Sequence, residues 1–327
     1  MITLVWRTDA HLADKAPQSR TDDWAETVLG KLRQVGEIAR EVAADAIIDG
    51  GDFFHIKTPS RTTHSLIQKV AVIHAAYPCP VYGVRNGNHD VKYGDGAFID
   101  EAPLGVLFAT GVFKMLDDEG VVFKPLATQK RPWSVRVVGI PYHGNTYDMN
   151  RLTTITKGDE DYLVVAAHLL ASEAGGDMFG GEDILRYGDL LDLDPDVWCF
   201  GHWHKDQGIH SARGKHIVNI GSLTRGALSQ DDVKRTPSVA ILRFSLEGGI
   251  TVQRRALKVQ PAAEVFDIDG RVRQEARTMT VDGFVDSVKK TLVGQNRKPL
   301  LDEVREMDLL TPVRERLVLY LEEAGAS

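Results

Sequence analysis

The sequence predicts an α/β protein in which two sheets pack face to face and helices cover their outer faces. Three observations carry that expectation. Apolar strands and amphipathic helices alternate from Ile2 to Val84, the order of a layered α/β domain. From Val112 onward, strand-like runs follow one another with few long helices between them. Clusters of Asp, His and Asn stand just after several of these strands, where open α/β sheets gather their ligand sites.

Ile2–Trp6 reads as the first strand. Trp24, Val28, Leu32, Val35, Ile38 and Val42 recur at helical spacing, which predicts an amphipathic helix over 21–42. Ala46–Asp49 is a second apolar strand, and Ser60 is placed to cap a helix running to about Ala76 with Leu66, Val70 and Ile73 inward. Val81–Val84 is the third strand. Val112–Leu116, Val121–Lys124, Val135–Ile140, Leu163–Ala167, Val197–Phe200, His216–Ile220, Val239–Phe244 and Ile250–Leu257 continue the strand pattern. Near Gln260 the character changes. "VQPAAEVF" reads as a connector, Val281, Phe284, Val285, Val288 and Leu292 form one helical stripe, and Leu310, Val313, Leu317 and Leu321 form another. Thr311 and Pro312 supply a cap and a first-turn proline for the second stripe. The expected division is a main domain over 1–259 and a small C-terminal helical appendage over 260–327.

Composition bounds the function. The chain has 327 residues, 43% of them hydrophobic and 26% charged, which is the make-up of an ordinary globular protein with a sizeable core. No apolar run approaches the ~20 residues of a membrane span. "MITLVWRTDAH" enters structure at once and lacks the basic and long apolar regions of a signal peptide. A cytoplasmic protein is expected, with Cys79 and Cys199 as buried thiols and no CxxC motif. The net charge of −7 speaks against a passive nucleic-acid coat, which is usually basic. It leaves room for an enzyme that meets phosphates through divalent cations, since bound cations dominate the local charge.

Five clusters carry the chemistry. They are Asp9-Ala10-His11, Gly51-Asp52-Phe53-Phe54-His55, Gly87-Asn88-His89-Asp90, His168, and Gly201-His202-Trp203-His204. Oxygen and imidazole donors without thiolate suit manganese, iron(II), zinc or magnesium and disfavour a structural cysteine–zinc site. Asp9 and His11 lie two apart and would point the same way from an extended segment, and His202 and His204 repeat the spacing. Seven donors exceed what one tetrahedral ion takes and suit two ions that share a carboxylate. One DxH or HxH match is usually accidental. Six of the eleven histidines falling inside five ordered clusters is not readily so.

The blocks DxH, GDxx, GNHD, H and GHxH, in this order between Ile2 and Gly221, resemble the calcineurin-like metallophosphoesterases. The resemblance implies a four-layer αββα sandwich of two mixed sheets and metal-dependent hydrolysis of phosphoesters at a dinuclear site. It implies that Asp9, His11 and His204 bind one ion, that Asn88, His168 and His202 bind the other, and that Asp52 bridges. A hydroxide held between the ions would attack phosphorus in line. His89 would be a catalytic residue and not a ligand, stabilising the transferring group and protonating the leaving oxygen. Two divalent ions are implied, Mn2+ first, with Mg2+, Fe2+ and Zn2+ compatible. Asp90 either orients a neighbour or is a turn residue after GNH.

"GGDFFHIKTPSR", Gly50 to Arg61, lacks the second Asp and the Arg of the GDxxDRG pattern of protein phosphatases. It resembles the SbcD-type DNA nucleases, the meiotic recombination eleven family, in which GGDxFH precedes a PSR-like segment. That resemblance implies a catalytic, substrate-side role for His55 tied to exonuclease action, the alternative being that His55 only orients His89. It also implies DNA as substrate, a homodimer, and an SbcC-type coiled-coil ATPase gripped by the C-terminal helices. The short tail fits a phage-type version. "GIPYHG" (Gly139–Gly144) and "VNIGSLTRG" (Val218–Gly226) resemble segments of the same group. They put Tyr142 and His143 near the cleft, and Arg225, Lys234 and Arg235 are candidate phosphate contacts, although a plugged turn and a solvated charge group account for them as well. The expected function is a manganese-dependent nuclease, exonuclease on duplex ends and endonuclease on single strands, in DNA repair, recombination or replication. The competing readings are a stand-alone phosphodiesterase or phosphatase for small molecules such as cyclic nucleotides, and a non-catalytic scaffold.

Overall fold

The computed structural model describes residues 1–55, 62–125, 131–178, 181–268, 270 and 300–306, with single residues at 311, 314, 315, 318 and 319. Residues 56–61, including the expected cap Ser60, and the apolar positions of both C-terminal stripes lie outside the described residues. The chain divides into two compact units. One comprises Met1–Ala16, Asp23–Arg225 and Arg235–Val259, and the other Pro17–Asp22, Gly226–Lys234 and Gln260–Ser327.

In the first unit the elements run β1 (Ile2–Arg7), α1 (Trp24–Glu41), β2 (Ala46–Asp49), α2 (His64–Ala75), β3 (Val81–Val84), α3 (Pro103–Ala109), β4 (Lys114–Leu116), β5 (Val121–Phe123), β6 (Val135–Ile140), α4 (Met149–Thr153), β7 (Tyr162–His168), β8 (Ala171–Ser172), β9 (Gly176–Met178), β10 (Glu182–Arg186), α5 (Tyr187–Leu191), β11 (Val197–Gly201), β12 (Gly208–Ala212), β13 (Lys215–Asn219), β14 (Ser238–Ser245) and β15 (Gly249–Ala256). One sheet has the order β15-β14-β1-β2-β3-β4 and the other β12-β13-β11-β7-β6-β5. Each is mixed. β1 to β4 are mutually parallel, as are β13, β11, β7 and β6, and the antiparallel pairs lie toward the edges.

The strands read as unbroken apolar runs because both faces are covered. Leu4 and Trp6 of β1 join Ala46, Ile48, Val137, Val164, Ala166, Val197 and Cys199 in the core between the sheets. Val5 and Ile47 face the other way, onto Leu32 and Val35 of α1 and Leu66 and Val70 of α2. Val165, Ala167, Trp198 and Phe200 of the second sheet pack on Leu152, Leu190 and Leu191 of α4 and α5. Helix, sheet, sheet and helix therefore form the four expected layers. α1 starts at Trp24, later than its periodicity suggests, because the Asp23 carboxylate accepts from the Glu26 N–H at 3.0 Å and fixes the first turn there. α2 is capped in the same way by Thr63, whose hydroxyl accepts from the Leu66 N–H at 3.2 Å.

Under the carboxyl ends of β1 and β2 lies a buried charge. Arg7 is fully enclosed, and its Nε donates to Asp49 Oδ2 at 2.7 Å. Its terminal nitrogens reach the Tyr77 hydroxyl at 3.0 Å and His74 Nε2 at 2.9 Å, and it stacks on the rings of Phe53, Tyr77 and Phe113. A buried charge persists only when paired and hydrogen-bonded, and here the pairing ties two strand ends together. Asp49 then accepts the Gly51 N–H at 3.1 Å, so Arg7 supports the turn that carries Asp52.

In the second unit Arg20 pairs with Asp22 at 2.6 Å and lies over the Phe266 ring, while the Thr21 N–H donates to the Val265 carbonyl at 3.1 Å. Cys199 is buried as expected, whereas Cys79 is only half-buried, and both are free thiols. Among the described residues no helix is long and apolar enough to cross a membrane.

Candidate metal centre

The first sheet delivers Asp9 and His11 after β1, Asp52 after β2, and Asn88 and His89 after β3. The second delivers His168 at the end of β7 and His202 and His204 after β11. All leave from carboxyl ends of parallel strands, so both sheets aim their loops at one place. Asp9, His11, Asp52 and His204 each offer a ligand atom within 4.8 Å of the others, and so do Asp52, His168 and His202. Asp52 belongs to both groups, as a bridging carboxylate would.

The backbone that achieves this is not extended, which corrects the expectation for the DxH and HxH pairs. Asp9, His11, Asp52 and His202 have φ of 54°, 47°, 49° and 82°, four of the seven left-handed non-glycine residues described. Such conformations cost about 1–3 kcal/mol each and persist where surrounding bonds over-determine them. Those bonds are present. The N–H groups of Asp9, His11 and Leu12 donate to the carbonyls of Gly51, Asp52 and Phe53 at 3.0, 3.0 and 2.8 Å. Two glycines are required by space. A Cβ on Gly51, at φ 94°, would lie 2.9 Å from His168 Nδ1, and one on Gly87 would lie 2.0 Å from Asp52 Oδ1.

The donor atoms are poised for cations. His168 Nδ1 donates to the Gly50 carbonyl at 2.7 Å, which directs Nε2 toward Asp52 Oδ2 at 3.4 Å. Asp52 Oδ1 accepts the His89 N–H at 2.7 Å. Asp52 Oδ2, Asn88 Oδ1 and His168 Nε2 are buried and have no hydrogen-bond partner among the described residues, an arrangement that is costly unless something positively charged satisfies it. Asp9 accepts from the Thr8 hydroxyl at 2.6 Å and the His202 N–H at 3.1 Å. Nε2 of His11 and of His204 approach within 2.8 Å and lie 3.8 and 3.7 Å from Asp9 Oδ1.

Electrostatics agree. Burial alone would raise the Asp9 and Asp52 carboxyls, but the surrounding imidazoles outweigh it, holding Asp9 down to about 2 and Asp52 lower still. Burial and the nearby His204 bring His11 down to about 4, so it stands neutral with a lone pair to give. Burial would lower His168 as well, yet the Asp52 and Asp9 charges push it up to about 10. A proton on His168 thus balances the buried carboxylates, and a cation taken up here displaces it. The residues fit two divalent ions.

His55 and His89 stack with ring centroids 5.1 Å apart at 15°. His55 Nδ1 meets His11 Nδ1 at 3.2 Å, and His89 Nδ1 meets the His55 carbonyl at 3.2 Å. His55 therefore touches both a candidate ligand and the candidate proton donor. Asp90 is more than a turn residue. Its fully buried carboxylate accepts the N–H groups of Asp52 at 2.7 Å, Gly87 at 2.8 Å and Phe54 at 3.0 Å, clamping two of the motif loops together. Burial and the Asp52 charge push this carboxyl up to about 7.

One functional residue has no sequence signal. Glu182, at the start of β10, accepts from His202 Nε2 at 2.9 Å and from the Tyr147 hydroxyl at 2.7 Å, and that hydroxyl accepts the Leu170 N–H at 2.9 Å. A carboxylate on one imidazole nitrogen fixes the tautomer and raises the basicity of the other. Glu182→Gln is expected to weaken metal uptake about 10–100-fold, read by competition with a chelating dye; unchanged affinity would leave Glu182 a merely structural partner.

Two of the three candidate basic contacts are buried. Arg235 is buried and donates to the Ser222 carbonyl and hydroxyl at 2.7 and 2.6 Å and to the Thr224 carbonyl, so it staples the "VNIGSLTRG" loop from within. Arg225 is buried too, and Lys234 is exposed in the second unit. Tyr142 does line the centre, with its ring 5.3 Å from that of His202.

Fold and donor set together define a metal-dependent hydrolase of phosphoesters. Residues 8–206 match the family described as Calcineurin-like phosphoesterase, and the chain belongs to that family. It is a family of dinuclear metal enzymes. No curated protein matches the chain. Among solved structures it is similar to a dimetal phosphatase from Danio rerio, with 11% identity, 78% of this chain and 96% of that one covered, and a TM-score of 0.49. It is also similar to an archaeal phosphodiesterase, with 13% identity, 78% and 100% covered, and a TM-score of 0.38.

Proposed function

We propose that the chain is a manganese-dependent DNA phosphodiesterase, an exonuclease on duplex ends and an endonuclease on single strands, working as the nuclease subunit of an SbcCD-like complex in DNA repair, recombination or replication. The observation that supports this most is His55, stacked on His89 and in contact with His11, at the position where the protein-phosphatase pattern has an Asp.

Asp9, His11 and His204 would hold one ion and Asn88, His168 and His202 the other, with Asp52 shared. Two divalent cations, when bound, supply Lewis acidity toward phosphoryl oxygens and a nucleophile at neutral pH. The chain supplies the rest. Gly50 and Glu182 orient His168 and His202 through their second nitrogens. His89 keeps Nδ1 on the His55 carbonyl, so a proton for the leaving oxygen travels through Nε2. His55 donates to phosphate oxygens beside it.

The test is hydrolysis by metal-stripped protein with manganese added back, on linear duplex DNA, circular single-stranded DNA and bis-p-nitrophenyl phosphate. Manganese-dependent digestion of DNA is expected, and His55→Ala is expected to reduce exonuclease action more than endonuclease action. Turnover of the small diester alone, also with the cognate ATPase present, would favour the small-molecule phosphodiesterase instead. Equal losses of both nuclease activities in His55→Ala would remove the substrate-side role.

A further inference from the structure

We infer that a cavity beside the metal centre is a nucleoside subsite, seating the base and sugar-phosphate next to the phosphodiester being cleaved. The inference rests on the nuclease reading above. The cavity holds about 550 Å³ and is lined by Arg85, Asn86, Tyr93, Tyr142, His143 and Arg151 among others. That volume lies within the ~300–1,000 Å³ of small-molecule pockets.

The cavity is indexed to the metal centre by a single side chain. Asn86, fully buried, donates through Nδ2 to the carbonyls of Gly87, Gly94 and Tyr142 at 3.1, 3.3 and 3.3 Å, and its own carbonyl accepts the Tyr142 N–H at 3.1 Å. One amide thus joins the loop of Asn88 and His89 to two walls of the cavity. The Tyr142 ring forms the partition, 5.3 Å from the His202 ring and 6.5 Å from that of His168. A Cβ on Gly94 would lie 2.7 Å from Tyr142 Cε1 and 4.0 Å from the Cα of Asn88. A group in the cavity therefore adjoins whatever the ions hold.

Its lining matches a nucleotide. Tyr93 is 85% exposed and holds a left-handed backbone at φ 58°, which is a true outlier for an aromatic residue. Burial does not explain it, since among the described residues its one ring contact is the edge of Phe98, at 5.7 Å and 67°. A strained, solvent-facing aromatic at the rim is a ready stacking surface, and stacking a base on such a ring is worth about 5- to 150-fold in affinity. Two buried acceptor atoms, Asn86 Oδ1 and His143 Nε2, have no hydrogen-bond partner among the described residues, and both residues line the cavity.

Charge completes the match. Arg85 lays its stem against Gly96 and makes no side-chain hydrogen bond or ion pair among the described residues. Arg151 stands 3.7 Å from an exposed carboxylate of Asp118, a weak pairing. The acidic member of the lining, Asp95, spends Oδ1 on the Ala97 N–H at 2.9 Å. In a chain of net charge −7, a cationic wall at this place favours a phosphodiester backbone.

The test uses the full chain and a ten-residue oligothymidylate with manganese. Tyr93→Ala is expected to raise KM for the oligonucleotide about 5- to 150-fold with kcat little changed, and Tyr93→Phe, which keeps the ring, to restore it. Tyr93→Trp places an indole whose fluorescence the oligonucleotide should quench, a readout independent of turnover. An unchanged KM in Tyr93→Ala together with an unquenched indole, in protein that does cleave DNA, overturns the subsite and leaves the nuclease reading standing. Wild-type protein that neither binds nor cuts the oligonucleotide while hydrolysing bis-p-nitrophenyl phosphate overturns both.

Discussion

Asp52→Ala is expected to lower phosphoester hydrolysis about a thousandfold or more. Asp52 joins the group of Asp9, His11 and His204 to that of His168 and His202, and its Oδ1 holds the His89 N–H at 2.7 Å. Lewis-acid stabilisation is worth several kcal/mol, and each 1.4 kcal/mol or so is tenfold in rate. Losing the shared carboxylate weakens both ion sites together and frees the backbone that positions His89. Metal content measured by emission spectroscopy should fall below that of the wild type, in step with turnover of bis-p-nitrophenyl phosphate. Asp52→Asn separates the two losses. It keeps an oxygen for the His89 N–H but not the charge that faces His168, so it should melt above Asp52→Ala in metal-free buffer without recovering turnover. Wild-type turnover in Asp52→Ala would mean that the carboxylate bridges nothing.

Asp90→Ala should cost most in stability. The substitution leaves three buried N–H groups, those of Asp52, Phe54 and Gly87, without an acceptor. Each unsatisfied buried group costs about 1–3 kcal/mol. Even without full additivity the sum is on the order of 3 kcal/mol, or roughly 10 °C in melting temperature for a domain of this size. Manganese affinity should fall as well, because both loops carry ligands. A melting temperature within a degree or two of wild type, followed by circular dichroism, would show that water replaces the carboxylate without penalty.

The sandwich was legible because strands covered on both faces leave unbroken apolar runs, as in "AIID" and "VYGV". The candidate donors were legible because each stands within a few residues of a strand end, so that local spacing and fold order coincide. What escaped depends on long-range geometry. β9 is a three-residue strand, and β12 carries no buried position, so neither has a periodic signal. Glu182 is remote in sequence from His202 and reaches it through β10 of the small β8-β10-β9 sheet. The left-handed turns at Asp9, His11 and His202 carry no glycine to announce them. Arg235 looks like a surface cation in sequence, and its bonds to Ser222 and Thr224 reveal an internal staple.

The two sheets contribute to one centre, and Asp9 and His202 are 193 residues apart. A ribosome adding about 5–20 residues per second takes roughly 10–40 s to cover that distance. Asp9, His11, Asp52 and Asn88 emerge first, and under the proposed assignment neither ion would have its full set until His168, His202 and His204 have followed. On that assignment the choice among the cell's divalent ions would fall to the finished cage, where geometry and not raw affinity discriminates.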